Sequence, residues 1–231
     1  TDLANVSVAV QQGVVMSGRV TFEGAAPKPA PAQIAQVTLR LDPVDHTAAA
    51  GAATWRGQVD PDGRFRTMGV PPGEYLLRVG APPRGWTVLS AMAGGIDILD
   101  APIAIAANAI DDVVVTFGDG PLTGTSGTVR DAKGAGAPDT SVLIFPTDRA
   151  LWRDSSADAR RLRLARPIAA GRFGVPGLPA GEYFVVAVGG ELPGEWQDPR
   201  RLEALAPHAT RVRLGPGPPQ AIGLTVIVSP G

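Results

Sequence analysis

Residues 63–75 read GRFRTMGVPPGEY and residues 171–183 read GRFGVPGLPAGEY. Gly63, Arg64, Phe65, Gly69, Pro71, Gly73, Glu74 and Tyr75 return 108 positions later as Gly171, Arg172, Phe173, Gly177, Pro179, Gly181, Glu182 and Tyr183. The stretches upstream also match, SGRVTFEGAAP at 17–27 against SGTVRDAKGAGAP at 126–138, and Trp86 has a counterpart in Trp196. Solenoid repeats have periods of about 20–50 residues. A period of about 110 residues means two copies of one domain, each long enough to bury its own core. The spacing places an N-terminal strand or extension at 1–13, a first domain at 14–118 and a second at 122–231. Between them Gly118 to Gly124 reads as a linker: it lacks the Lys-Ser/Thr of a phosphate loop and opens no helix.

The local pattern is β throughout. Ser17–Phe22, Gln36–Leu41, Glu74–Val79, Asp112–Phe117, Val142–Phe145, Glu182–Val188 and Ala221–Val228 are short Val-, Ile-, Leu- and aromatic-rich runs closed by Gly, Pro or Asp, the marking of strands bounded by turns. Asp60-Pro61-Asp62-Gly63 is a turn sequence, with Gly able to take a positive φ. Phe65 then faces inward, and Tyr75, Leu77 and Val79 share one face of the next strand; Phe173, Tyr183, Val185 and Ala187 repeat the arrangement. The one clear helix signal is Asp198 as N-cap with Pro199 in the first turn, ending before Pro207. Leu151–Arg163 reads either as helix or as loop. Short strands without helical connections favour antiparallel β-sandwiches. The fold expected is all-β, two tandem antiparallel Ig-like sandwiches.

The block G-R-F…G-[VL]-P-x-G-E-Y preceded by S-G-x-V resembles carboxypeptidase regulatory-like domains, which belong with transthyretin-like and collagen-adhesin B-type folds. The resemblance covers nearly the whole chain after about residue 12. Phe145 to Trp152, Gly194 to Pro199 and Gly95 to Asp100 are similar to segments of such proteins in soil bacteria. It implies prealbumin-like sandwiches in a non-catalytic module that works outside the cytoplasm. Such modules accompany enzymes, receptors and adhesins alike, so the resemblance speaks to fold more than to role.

The residues needed for chemistry are sparse. With no cysteine there is no thiolate nucleophile, disulfide or Cys-ligated metal. A Lys–Asn cross-link of the collagen-adhesin kind needs a desolvated lysine, yet Lys28 and Lys133 lie in Gly/Ala/Pro-rich loops and no domain pairs a first-strand Lys with a last-strand Asn; Asn5 and Asn108 are the two asparagines. His46 and His208 have no G-x-S-x-G serine or H-x-x-x-H partner beside them, so no enzyme and no zinc site is expected. Asp60/Asp62, Asp97/Asp100 and Asp111/Asp112 read as turn or strand-edge structure, because calcium needs six to eight oxygens in a fixed frame. No cofactor is expected.

Charge is distributed unevenly. Residues 1–118 sum to −3 and residues 119–231 to +2. Arg149, Arg153, Arg160, Arg161, Arg163 and Arg166 face only Asp154 and Asp158 within their segment, with Trp152 among them. One reading is a solvated loop. The other is a docking surface that uses Arg and Trp as anchors for other protein subunits, an acidic surface or a glycan. Nucleic acid is not expected, since stacking aromatics do not interleave with the charges.

No apolar run approaches the ~20 residues of a membrane-spanning helix, and residues 1–16 lack the basic start and apolar core of a signal peptide. Leu3, Val6, Val8 and Val10 instead fit a strand. A start at Thr1 is expected of a processed or partial product of a longer precursor. These readings combine into a non-catalytic scaffold or interaction module, periplasmic or extracellular and peripheral to a membrane, acting as an accessory subunit on a larger surface complex. The alternative is a carbohydrate-binding module that stacks exposed Trp or Tyr on sugars.

Overall fold

The computed structural model describes residues 13–44, 55–153, 159–190, 192, 194, 196–215 and 219–228. The expected strand at 1–13 and His46 lie almost wholly outside these residues. The first half carries β1 (Met16–Glu23), the short α1 (Pro31–Ile34), β2 (Thr38–Pro43), β3 (Trp55–Val59), β4 (Arg64–Thr67), β5 (Gly73–Gly80), β6 (Thr87–Ala93), β7 (Ile96–Asp97), β8 (Ile103–Ile105) and β9 (Ile110–Gly118). The second carries β10 (Thr123–Arg130), β11 (Thr140–Pro146), β12 (Arg163–Ala165), β13 (Arg172–Leu178), β14 (Gly181–Gly189), α2 (Pro199–Leu205), β15 (Thr210–Leu214) and β16 (Gln220–Val228). Among the described residues strands pair only within their own half: the order is β7-β6-β9-β1-β4-β3-β2-β5-β8 in the first and β12-β11-β14-β16-β10-β13 in the second, where β15 also joins β14.

Most pairs are antiparallel, but β1 runs parallel to β9, and β16 runs parallel to both β10 and β14. This refines the antiparallel expectation. The first and last strands of each half lie side by side and enter from the same end, a relation that local sequence pattern does not encode.

The first half closes one core. Met16 and Val20 of β1, Val113, Val115 and Phe117 of β9, Leu39 and Leu41 of β2, and Tyr75 and Leu77 of β5 fall in a single buried cluster. Side chains from both ends of the strand order therefore meet, which requires the sheet to fold over on itself as a sandwich. The second half builds the matching core from Val129, Val142, Ile144, Phe173, Tyr183, Val185 and Leu224.

The repeated residues acquire physical reasons here. The Tyr75 hydroxyl donates to the Pro71 carbonyl at 3.1 Å, and the Tyr183 hydroxyl donates to the Pro179 carbonyl at 2.7 Å. The P-x-G-E-Y spacing thus ties each tyrosine back to the turn that launches its strand. Gly18 and Gly127 sit opposite Phe65 and Phe173 in register. A Cβ there would lie 1.9 Å from the Val113 or Ile222 carbonyl oxygen, and 2.9 or 3.0 Å from the nearest carbon of the facing Phe65 or Phe173 ring.

One feature separates the halves. In β11 every residue is buried, and Tyr183–Val188 of β14 are buried as a run. Their outer face carries a second cluster, Leu143, Phe145, Phe184, Val186 and Val188 under Trp152, Leu162, Leu202 and Leu205. Strands buried on both faces read as continuous apolar runs. That explains SVLIF and YFVVAV where the first half has TLRLD. Helix α2 forms where Asp198 caps it, Oδ1 accepting from the Arg200 amide at 2.8 Å, and its Leu202 and Leu205 are the buried pair.

Candidate functional site

The arginine segment begins as a capped turn. Asp148 Oδ1 accepts from the Ala150 amide at 2.9 Å, starting the 3-10 turn Arg149–Arg153. The turn throws Trp152 back onto β11, where Nε1 donates to the Pro146 carbonyl at 2.8 Å and the ring meets Phe145 edge-on, centroids 5.7 Å apart. Arg149 packs over the same indole at 5.9 Å and bridges to Glu203 of α2 at 2.9 Å. Leu162, further along, is also buried. The segment is therefore the lid of the second core.

Its next arginines cross to the first half. Arg161 Nε donates to Asp100 Oδ2 at 2.6 Å, while Nη1 donates to the Tyr183 hydroxyl at 3.0 Å and the Ala180 carbonyl at 3.2 Å. Arg160 Nη2 donates to the Leu89 carbonyl at 3.0 Å, with Nη1 3.8 Å from Asp100 Oδ1. The Asp100 side chain is 3% exposed, and those of Arg160 and Arg161 are 15% and 17% exposed. Arg153 grips Glu74 through both ends of its guanidinium. That hydrogen bond holds the Glu74 carboxyl below the usual carboxylate range. A cavity of about 540 Å³ beside this seam is walled by Glu23, Leu89, Leu122, Arg161 and Pro179 among others.

Asp100 is aimed by its own segment. Asp97 Oδ1 accepts from the Ala91 and Leu99 amides at 2.9 and 3.2 Å, winding Gly95–Asp100 into a turn that buries Ile98 and Leu99. Burial pushes the Asp97 carboxyl up, with Asp100 adding to the rise. Asp97→Asn keeps the acceptor and removes the charge, so the variant is expected to melt within a few degrees of the parent.

Of the seven residues expected at a docking surface, the structure turns Trp152, Arg160 and Arg161 inward, which corrects their expected exposure. The physical reason is that the outer face of β11 and β14 needs an apolar cover and Asp100 needs counter-charges. Arg153 is engaged by Glu74, while Arg149 and Arg166 are exposed and Arg163 is half-buried. The sequence reading takes Glu74 and Tyr183 as repeat strand residues and Asp100 as half of a turn or strand-edge pair, none of them as a partner of the arginines; the cue is six arginines with too few acids beside them.

Burial pushes the Tyr183 phenol up to about 12, despite the nearby Arg161 pulling it down. A phenol whose folded pKa exceeds its ordinary value near 10.0 favours folding fully below pH 10 and loses that contribution as pH rises towards 12. Stability measured by urea titration is expected to fall across that window. Tyr183→Phe should flatten part of the fall; an unchanged slope would contradict the assignment.

The other expectations are also placed. Lys28, Lys133 and Asn108 are exposed, so no desolvated lysine meets Asn108. Asp60 Oδ1 accepts from the Asp62 and Arg64 amides at 2.9 and 2.8 Å, and Asp111 accepts from the Ser17 hydroxyl at 2.6 Å. These are turn and strand-edge roles. Among the described residues no group of three His, Asp or Glu is placed to hold a metal, and no helix is long and apolar enough to cross a membrane. His208 is exposed. Of the aromatics weighed for stacking on sugars, Tyr75, Tyr183, Trp86 and Trp152 are buried, and Trp55 and Trp196 are partly buried against the cores.

No protein-family model and no curated protein matches the chain. Among solved structures it is similar to the shaft pilin SpaA from Lactobacillus rhamnosus GG, at 14% identity and TM-score 0.31 over 95% of this chain and 98% of that one. The Streptococcal ancillary pilin overlaps at 12% identity and TM-score 0.35, over 92% and 62%. The Bacillus anthracis TIE protein overlaps at 12% and 0.28, over 94% and 35%. This chain thus spans about a third of the TIE protein and under two thirds of the ancillary pilin. At such overlap, function has to be read from the residues.

Proposed function

We propose that the chain is a non-catalytic scaffold or interaction module of a secreted or periplasmic protein, an accessory subunit that docks on a larger surface or membrane-associated complex. Its units are two sandwiches, 14–118 and 122–231, resembling carboxypeptidase regulatory-like domains. The observation that carries this reading is the charged seam. Asp100 takes Arg161 in a buried contact, and Arg153 adds Glu74 beside it. Two sandwiches joined through buried charge suit a spacer or docking subunit.

The docking patch in this reading is the outward remainder of the arginine segment, Arg149, Arg163 and Arg166. Its partner is acidic and proteinaceous, because guanidiniums beside a covered indole offer charge without a stacking face. Crosslinking of the native protein in surface and membrane fractions of its source is the test. The expected result is a discrete adduct that disappears in an Arg149→Glu/Arg166→Glu variant. Recovery only as a free monomer, in both forms, would count against the reading.

A further inference from the structure

The two halves build one and the same ladder from different side chains. In the first, β1 meets β4 with Ser17 opposite Arg66, Gly18 opposite Phe65 and Arg19 opposite Arg64. In the second, β10 meets β13 with Ser126 opposite Gly174, Gly127 opposite Phe173 and Thr128 opposite Arg172. The register is identical, yet where the first half has Arg19 and Arg66 the second has Thr128 and Gly174. The ladder therefore closes without those two arginines. Like charges directly opposite one another destabilise a strand pair, so Arg19 beside Arg64 is a cost that the fold does not require. Proteins break such local rules chiefly at functional positions.

Arg19, Arg64 and Arg66 are exposed, and so is Arg56 of β3, two residues from the Gln58 that pairs with Arg66. Among the described residues none of the four makes an ion pair. The acids of the first half are engaged elsewhere. Glu74 and Asp100 answer arginines of the second half, Asp42 takes Arg40, and Asp60 Oδ1 accepts from the Asp62 and Arg64 amides. Glu23 and Asp62, both exposed, stand beyond the Arg19–Arg64 end of the ladder. A half that sums to −3 thus carries one basic face.

Arg64, Arg66 and Gln58 line a groove of about 690 Å³ together with Thr38 and Ala35. Side chains two apart on a strand stand about 7 Å from one another, which is also the repeat of alternate side chains on a second extended chain. Across the ladder, Arg19 and Arg64 have Cβ atoms about 5 Å apart, near enough for both guanidiniums to hold one carboxylate through paired N–H donors. We propose that this face of the first half binds an extended acidic segment of a partner protein, with carboxylates at alternate positions. Arg19 and Arg64 hold one carboxylate, and Arg66 with Arg56 holds the next. A lipid surface would meet exposed charge anywhere on the molecule; the groove and the two-residue repeat select a single extended chain. The site is separate from Arg149, Arg163 and Arg166 and does not depend on them.

The experiment is fluorescence anisotropy of labelled peptides titrated with the full chain. The peptides share one composition, alternating as Thr-Glu-Thr-Glu-Thr-Glu-Thr or blocked as Thr-Thr-Glu-Glu-Glu-Thr-Thr. Saturable binding of the alternating peptide is expected, at least about fivefold tighter than the blocked one and weakening with added salt. Arg19→Thr/Arg66→Gln should weaken it at least about tenfold, with a melting temperature at or above the parent's, because a like-charge pair is removed. Arg172→Gln and Arg149→Glu/Arg166→Glu should leave the affinity unchanged. The first places the site in the first half, and the second separates it from the docking patch proposed above. Absence of saturable binding, affinity unchanged in Arg19→Thr/Arg66→Gln, or an equal loss in either of the other variants overturns the site. Equal affinity for the two peptides overturns the extended segment. Tighter binding to phosphatidylglycerol vesicles, lost in Arg19→Thr/Arg66→Gln, would assign the face to a membrane instead.

Discussion

Gly127→Ala is expected to destabilise the second half by about 3 kcal/mol, at the upper end of what overpacking costs. The added Cβ would stand 1.9 Å from the Ile222 carbonyl oxygen and 3.0 Å from the Phe173 ring. Neither wall can retreat cheaply. Ile222 lies within the register that pairs Thr125–Arg130 with Gln220–Thr225, and Phe173 is a buried core residue. For a domain of this size the midpoint of thermal unfolding should drop by roughly 10–20 °C. Gly18→Ala should do the same to the first half, where the Val113 oxygen is also 1.9 Å away. Gly174→Ala is the control: a Cβ there meets nothing within 4 Å, so its melt should match the parent. A Gly127→Ala melt within about 3 °C of the parent would sink the packing account.

Asp100→Ala is expected to cost about 3 kcal/mol and to uncouple the halves. Removing one member of a buried pair strands the other charge, at about 3–5 kcal/mol in well-buried cases. Here solvent reaches the guanidiniums slightly, at 15% and 17% exposure, so the lower end applies. Calorimetry should show one transition in the parent and two in the variant. A double-mutant cycle with Arg161→Gln should return a coupling above about 1 kcal/mol. Additive losses, or a single transition in Asp100→Ala, would show that the seam does not join the sandwiches. Arg153→Ala offers the contrast. Its Glu74 contact is half exposed, so its effect should be small and vanish with added salt.

Much of the fold was legible because strand and turn signals are local. The strands around Tyr75, Val115, Val142, Val185 and Leu224 fall where short apolar runs end in Gly, Pro or Asp. The Asp198-Pro199 helix start is also where capping chemistry puts it. What was missed is non-local. Thr87–Ala93 has little alternation to mark it, and becomes a strand by pairing with β9. The arginine segment was visible as charge, but its direction was not. Trp152 looks like an anchor for a partner until the bare outer face of β11 and β14 supplies a nearer surface.

By itself the sequence determined that this protein consists of two copies of one β unit, and where each copy turns. Repetition, alternation and turn residues act over a few positions, and the chain states them directly. Only the tertiary structure decided that Gly18 and Gly127 are points of close backbone approach, and that Arg160 and Arg161 answer Asp100 some sixty residues away. Each of these depends on which strands lie side by side and in what register. Register is set by the burial of a whole face at once, and no short window of residues contains it.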